Sequence, residues 1–213
     1  MRVTDAIKSS IKPSGPPGRF AATWSQVATN VNLANLLTFS RILLIPVFVV
    51  LFANPTPKRS LAAALVFVVA AVTDLLDGYV ARRRGQITKL GKLLDPIADK
   101  LLVLSSLILL VQFDRVTALV AIVIIAREVA VTGIRAIAAS EGIVLAAETI
   151  GKWKMAMQVV AIVLLILEGS FALLAQPLHV LGTGLLYLAL ALALISGGQY
   201  LTNFWRQVAV RKL

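Results

Sequence analysis

The stretch DLLDGYVARRRGQITKLGKLLDPIAD, residues 74–99, places four aspartates between two long apolar runs. Asp74 and Asp77 are three residues apart, and Asp95 and Asp99 are four apart. On a helix either spacing stacks two side chains on one face. Four carboxylates within a few ångströms of each other repel strongly at low dielectric, so they need protons, arginines or metal ions. Hard oxygen donors without His or Cys favour Mg²⁺ or Mn²⁺. A pair of such ions sharing bridging carboxylates makes a template for phosphoryl chemistry. Gly78 lets a bulky ligand approach the helix backbone. Arg82, about one turn further, is placed to hold a phosphate bidentately. One pair alone has a plainer reading, since Asp95 before Pro96 has the form of a helix N-cap with proline at the first helical position. Four carboxylates at helical spacings, interleaved with glycine and arginine, favour function instead.

The elements that must position these groups are set by composition. Of the 213 residues 59% are hydrophobic and 15% charged, where soluble domains run nearer a quarter charged. The mean hydropathy is +0.89. A polytopic, all-α membrane protein is expected. The absence of cysteine excludes disulfides and Cys-ligated zinc, and a single histidine, His179, argues against His-based metal sites and Ser/His triads. Spanning helices need roughly 20 mostly apolar residues, and six segments qualify: 36–53, 61–81, 93–112, 116–139, 156–175 and 178–201. NPTPK breaks the first two, FDRV the third and fourth, and AQP the fifth and sixth.

With both termini on the cytoplasmic side, only Lys58, Arg59 and Arg115 of the 21 Lys and Arg fall outside. That asymmetry fixes the sidedness of the expected topology and explains the net charge of +11 without nucleic acid. The second and third segments are then antiparallel neighbours, and their aspartates converge at one depth near the cytoplasmic interface. Residues 1–31 have no apolar core and contain a Pro/Gly cluster; they are expected to be a basic tail, flexible or lying on the membrane surface. Residues 32–213 form the transmembrane domain.

A second anion site is legible apart from the aspartates. Arg127 and Arg135 are eight residues apart in an otherwise apolar segment, on roughly one face, and Lys152 and Lys154 follow in the next cytoplasmic junction. These charges suit an acceptor phosphate. Two structural alternatives stand beside this reading. Glu128 can be the ion-pair partner of Arg127, and Lys154 can simply mark the inner side.

The quoted stretch resembles the signature of the CDP-alcohol phosphatidyltransferase family, D-x2-D-G-x2-A-R-x8-G-x3-D-x3-D, with every spacing kept from Asp74 to Asp99. Eight positions over 26 residues agree, so the signal is specific. The resemblance implies that Asp74, Asp77 and Asp95 hold a dinuclear metal site. It makes Asp99 the general base, which also touches metal, and puts Gly78, Arg82 and Thr88 against the CDP-lipid. NLANLLTFSRILLIPVFVV looks like the family's first helix, which implies that Asn35, Thr38 and Arg41 lie near the nucleotide. IIAREVAVTGIRAIAASEGIVLAAETIGKWKMAMQ and the closing SGGQYL are similar to the bacterial phosphatidylglycerophosphate synthases of that family. Met155 departs from them, standing where they usually carry threonine.

The resemblance implies a homodimer in the cell membrane, with its active site facing the cytoplasm. The expected reaction transfers a phosphatidyl group from CDP-diacylglycerol to the sn-1 hydroxyl of glycerol 3-phosphate, using Mg²⁺ or Mn²⁺. Inositol phosphate or phosphatidylglycerol are alternative acceptors. A cation transporter is a remote rival, because it would want carboxylates near the bilayer midplane and broken helices there.

Overall fold

Six long helices and one short 3₁₀ turn occur among the described residues of the computed structural model. It describes residues 33–84, 89–141 and 149–211, with side chains for 39–73, 97–98, 100–141 and 153–207. The expected tail, residues 1–31, lies outside the described residues. The helices are α1 (Leu33–Phe52), α2 (Pro57–Arg84), α3 (Lys89–Gln112), α4 (Ala118–Ser140), α5 (Thr149–Leu167) and α6 (Ala175–Arg211), with the 3₁₀ turn at Ala172–Leu174. No strand occurs among the described residues.

Local chemistry explains most of the boundaries. Between α1 and α2, Thr56 accepts a 3.3 Å bond from the Arg59 amide, and Pro57 opens the helix where its missing N–H costs no helical bond. Asp114 turns the chain between α3 and α4 with φ 55°, a left-handed conformation that Asp tolerates better than most residues. Three readings need correction. The fifth segment stops at Leu167 and not at 175; Gly169 and Ser170 follow, and then the 3₁₀ turn. AQP is no break either, because Pro177 sits in the first turn of α6, where amides have no partner to lose. The N-cap reading of Asp95 also fails, since α3 begins at Lys89 and runs through Asp95–Pro96.

The helices pack as a bundle in which α5 lies along α6, α1 packs on α2 and α3, α4 on α6, and α2 on α5. Phe48, Phe52, Phe67, Leu107, Leu110, Ile162, Leu165 and Ile166 are fully buried. Phe48 contacts both Phe52 and Phe67 at 5.8 Å between ring centroids, and Phe52 meets Phe113 edge-on at 5.6 Å. Arg115 secures the same end of the bundle. Its Nη1 donates to the carbonyls of Leu165 and Ile166 at 2.8 and 3.1 Å, satisfying the end of α5. Burial lowers its pKa, against the opposing field of Glu168.

The stretch 172–207 is long and apolar enough to cross a membrane, and shorter apolar stretches run over 39–52, 100–112 and 153–167. Val50, Leu65, Leu119, Ile122 and Leu173 are among many apolar side chains left exposed on the outer faces. So much uncovered apolar surface is out of place in water.

The α5–α6 contact depends on Gly182. A Cβ there would stand 2.8 Å from Leu165 Cγ and 3.3 Å from the Ala161 carbonyl. Gly182→Val is therefore expected to cost about 1–3 kcal/mol and to lower the unfolding temperature of the detergent-solubilised protein. An unchanged unfolding midpoint would contradict this packing.

Candidate active site

Asp74 and Asp77 lie on α2, with Gly78 and Arg82 after them, and Asp95 and Asp99 lie on α3. The first pair is near the end of α2 and the second near the start of α3, and the two helices touch. The backbone thus carries both carboxylate pairs at one end of the α2–α3 pair. The four aspartate side chains, with those of Gly78's neighbours and Arg82, lie outside the described residues. Thr88 lies outside them altogether, as do the side chains of Asn35, Thr38 and Lys152. Arg41, the third member of the α1 set, is buried with 1% of its surface exposed. Among the described residues no three His, Asp or Glu side chains come together as a metal site.

What the described side chains do show is a charge cluster next to Asp99. Lys100, the following residue on α3, donates to Glu128 Oε2 at 2.8 Å. Glu128 Oε1 accepts from Arg127 at 2.9 Å and also from Lys154 of α5. One carboxylate thus collects three cations from three helices. The cluster is largely shielded, with side-chain exposures of 25% for Lys100, 16% for Glu128, 9% for Arg127 and 4% for Lys154. A small cavity opens beside it, lined by Lys100, Val103, Leu104, Glu128, Lys154, Met155, Gln158 and Val159. Met155, the departure from the family pattern, thus borders the polar groups.

Arg127 and Arg135 both reach α6. Arg127 Nε donates to the Ala193 carbonyl at 2.9 Å, and its Nη2 to Ser196 Oγ at 2.8 Å. Eight residues on, Arg135 donates to the Tyr200 hydroxyl at 2.8 Å, with its guanidinium 4.6 Å from the ring centroid. Both partner sets advance in the same sense along the two helices, so α4 and α6 run parallel here. The expected shared face is present. The structural alternative for Arg127 is present too: Nε, Nη1 and Nη2 are all engaged within the protein. Arg135 is the more exposed of the two.

SGGQYL gains a physical meaning from these contacts. Ser196 and Tyr200 hold the two arginines, and a Cβ added at Gly197 would stand 3.6 Å from Arg127 Nε, so the arginine lies against this face of the helix. Sequence reasoning named Glu128 as a partner for Arg127, which the structure shows, but missed it as the common partner of Lys100 and Lys154, along with Gln158, Ser196 and Tyr200. An acidic residue alone in an apolar helix, with Arg beside it, was the available signal.

Comparisons with known proteins identify the family. A family model described as CDP-alcohol phosphatidyltransferase matches residues 31–195. The CDP-diacylglycerol–glycerol-3-phosphate 3-phosphatidyltransferase of Bacillus subtilis (strain 168) is 41% identical over 187 residues, covering 82% of this chain and 95% of its own. Its namesake from Pseudomonas fluorescens is 41% identical over 185 residues, covering 82% and 91%. A cardiolipin synthase (CMP-forming) of Oryza sativa subsp. japonica is 35% identical over 191 residues, covering 83% of this chain and 58% of its own. With a family model across most of its length and relatives of this similarity, the chain belongs to the CDP-alcohol phosphatidyltransferase family.

Proposed function

We propose that this protein transfers the phosphatidyl group of CDP-diacylglycerol to the sn-1 hydroxyl of glycerol 3-phosphate, forming phosphatidylglycerophosphate and CMP. The observation that carries the reading is the juxtaposition on α3. The last aspartate of the family signature, Asp99, is followed directly by Lys100, which is bonded into the Glu128 cluster. The residue suited to activating a hydroxyl is thus next in sequence to a cation suited to an acceptor phosphate. Relatives carrying the corresponding enzyme name support the same acceptor.

The chemistry of the donor set fits divalent metal. Asp74, Asp77, Asp95 and Asp99 offer only hard oxygens, from two helices in contact, and would hold Mg²⁺ or Mn²⁺, as a pair of ions. A metal held by these carboxylates would supply charge neutralisation to the diphosphate. The remaining work is positioning and electrostatics. Arg82 and the backbone at Gly78 hold the diphosphate, while Asn35, Thr38, Arg41 and Thr88 contact the nucleotide end. Asp99 takes the proton of the attacking hydroxyl. Arg135, Lys152 and Lys154 hold the acceptor phosphate, and Arg127 keeps α4 in register with α6. The oxygen of glycerol 3-phosphate attacks the β-phosphorus, and CMP leaves with the electron pair of the broken P–O bond.

The uncovered apolar faces support six membrane crossings, the distribution of Lys and Arg supports termini and active site at the cytoplasmic face, and the family resemblance suggests a homodimer. Such a location lets one substrate keep its acyl chains in lipid while the other arrives from water. Phosphatidylglycerol is the second acceptor to test, because the rice relative is a cardiolipin synthase. The cationic cluster favours the more highly charged acceptor.

The test is CMP release by purified protein with CDP-diacylglycerol, Mg²⁺ or Mn²⁺, and each alcohol separately. Release with phosphatidylglycerol or inositol phosphate but none with glycerol 3-phosphate would overturn the assignment. Arg135→Ala is expected to raise the glycerol 3-phosphate KM about tenfold, the loss of one charge-assisted phosphate contact, while the CDP-diacylglycerol KM holds. An unmoved acceptor KM would remove Arg135 from the site.

A further inference from the structure

We propose that Glu128 is a positioning residue for the acceptor: its carboxylate gathers Lys100, Arg127 and Lys154 into a preformed cationic cradle beside the cavity. The proposal rests on reading that cavity as the acceptor site. Three helices contribute, since Lys100 stands on α3, Arg127 and Glu128 on α4, and Lys154 on α5. Without the carboxylate the three cations would repel one another across a poorly hydrated space, and the two ammoniums would lose the group that brings them together.

Charge and donor count favour a binding role over a purely structural tie. Three cations around one carboxylate leave a net charge of +2, which matches a phosphate monoester of about −1.5 to −2 near pH 7. An ammonium has three N–H donors. Lys100 and Lys154 each have one bond to Glu128, so donors remain for a phosphate oxygen. Arg127 differs, because its guanidinium is spread over Glu128, Ala193 and Ser196. It anchors the carboxylate, and the carboxylate orients the lysines. Lys100 also adjoins Asp99, so the grip of Glu128 on α3 links the acceptor cradle to the residue proposed to activate the hydroxyl.

The experiment measures KM for glycerol 3-phosphate and for CDP-diacylglycerol, with kcat, in Glu128→Gln, Glu128→Asp and Arg135→Ala. Glu128→Gln is expected to raise the acceptor KM about tenfold or more, with the CDP-diacylglycerol KM within about twofold of wild type. Glu128→Asp keeps the charge on a shorter stem and is expected to recover most of that loss. An acceptor KM unmoved in Glu128→Gln overturns the proposal. So does an equal rise in both KM values with falling kcat, which would mark general loss of structure. So does an Asp variant no better than Gln. Should Glu128→Gln fail to yield folded protein, Lys100→Gln takes its place: a selective rise in the acceptor KM supports the cradle, and wild-type values refute it. If Arg135→Ala raises the acceptor KM and Glu128→Gln does not, only this inference falls. If neither moves it, the acceptor site itself is misplaced.

Discussion

Replacing Asp99 by asparagine is expected to lower kcat for CMP release by about 10³-fold while CDP-diacylglycerol still binds. General-base catalysis contributes roughly 10²–10⁴-fold, and the amide is nearly isosteric with the carboxylate but cannot accept the proton of the attacking hydroxyl. Asp99 has the right neighbours for that role. It follows the buried Ala98 and precedes Lys100, which is bonded to Glu128 across to α4, so its stretch of α3 is held in place on both sides. Asp74, Asp77 and Asp95 remain in the variant to hold metal, so the expected signature is a kcat loss without loss of CDP-lipid affinity. Asn at Asp77 or Asp95 should instead weaken metal dependence, seen as a rise in the Mg²⁺ or Mn²⁺ concentration needed for half-maximal rate. The two patterns separate a base from a ligand. Turnover of Asp99→Asn within tenfold of wild type would take the base role away from Asp99.

That prediction draws on the part of the site that was legible in the sequence, for a physical reason. The aspartate pairs are local: three and four residues apart on single helices, they declare a shared face without knowledge of any partner. The helices were legible on similar grounds, because long apolar runs broken by NPTPK and FDRV leave few other choices. The error over the fifth helix shows where that logic stops. FALLAQPLHV is apolar across the junction, so composition runs on, while the backbone stops at Leu167, its terminal carbonyls held by Arg115 from 50 residues away. The Glu128 cluster was illegible for the same reason. Its lysine partners lie 28 residues before and 26 after it, on helices whose rotation about their axes no local spacing reveals.

Arg127→Ala is the prediction that separates the two readings of the buried arginine. The side chain is only 9% exposed and donates to Glu128, the Ala193 carbonyl and Ser196 Oγ. Removing it leaves a fully buried hydroxyl without that donor and takes one of three cations from Glu128. Breaking a buried ion pair costs about 3–5 kcal/mol in soluble proteins, and interhelical hydrogen bonds in membranes run lower, at about 0.6–2 kcal/mol each. A loss of about 3 kcal/mol is expected, seen as a large drop in the unfolding temperature in detergent. Arg127→Lys should recover only part of it, because an ammonium is a point charge and cannot span partners on α4 and α6 as the planar guanidinium does. If Arg127 were chiefly a ligand for the acceptor phosphate, the pattern would invert. The acceptor KM would rise steeply while the unfolding temperature held, and lysine would restore binding. Wild-type thermal stability in Arg127→Ala would therefore return the residue to the acceptor site, and with it a larger share of the phosphate's charge than Arg135, Lys152 and Lys154 are assigned.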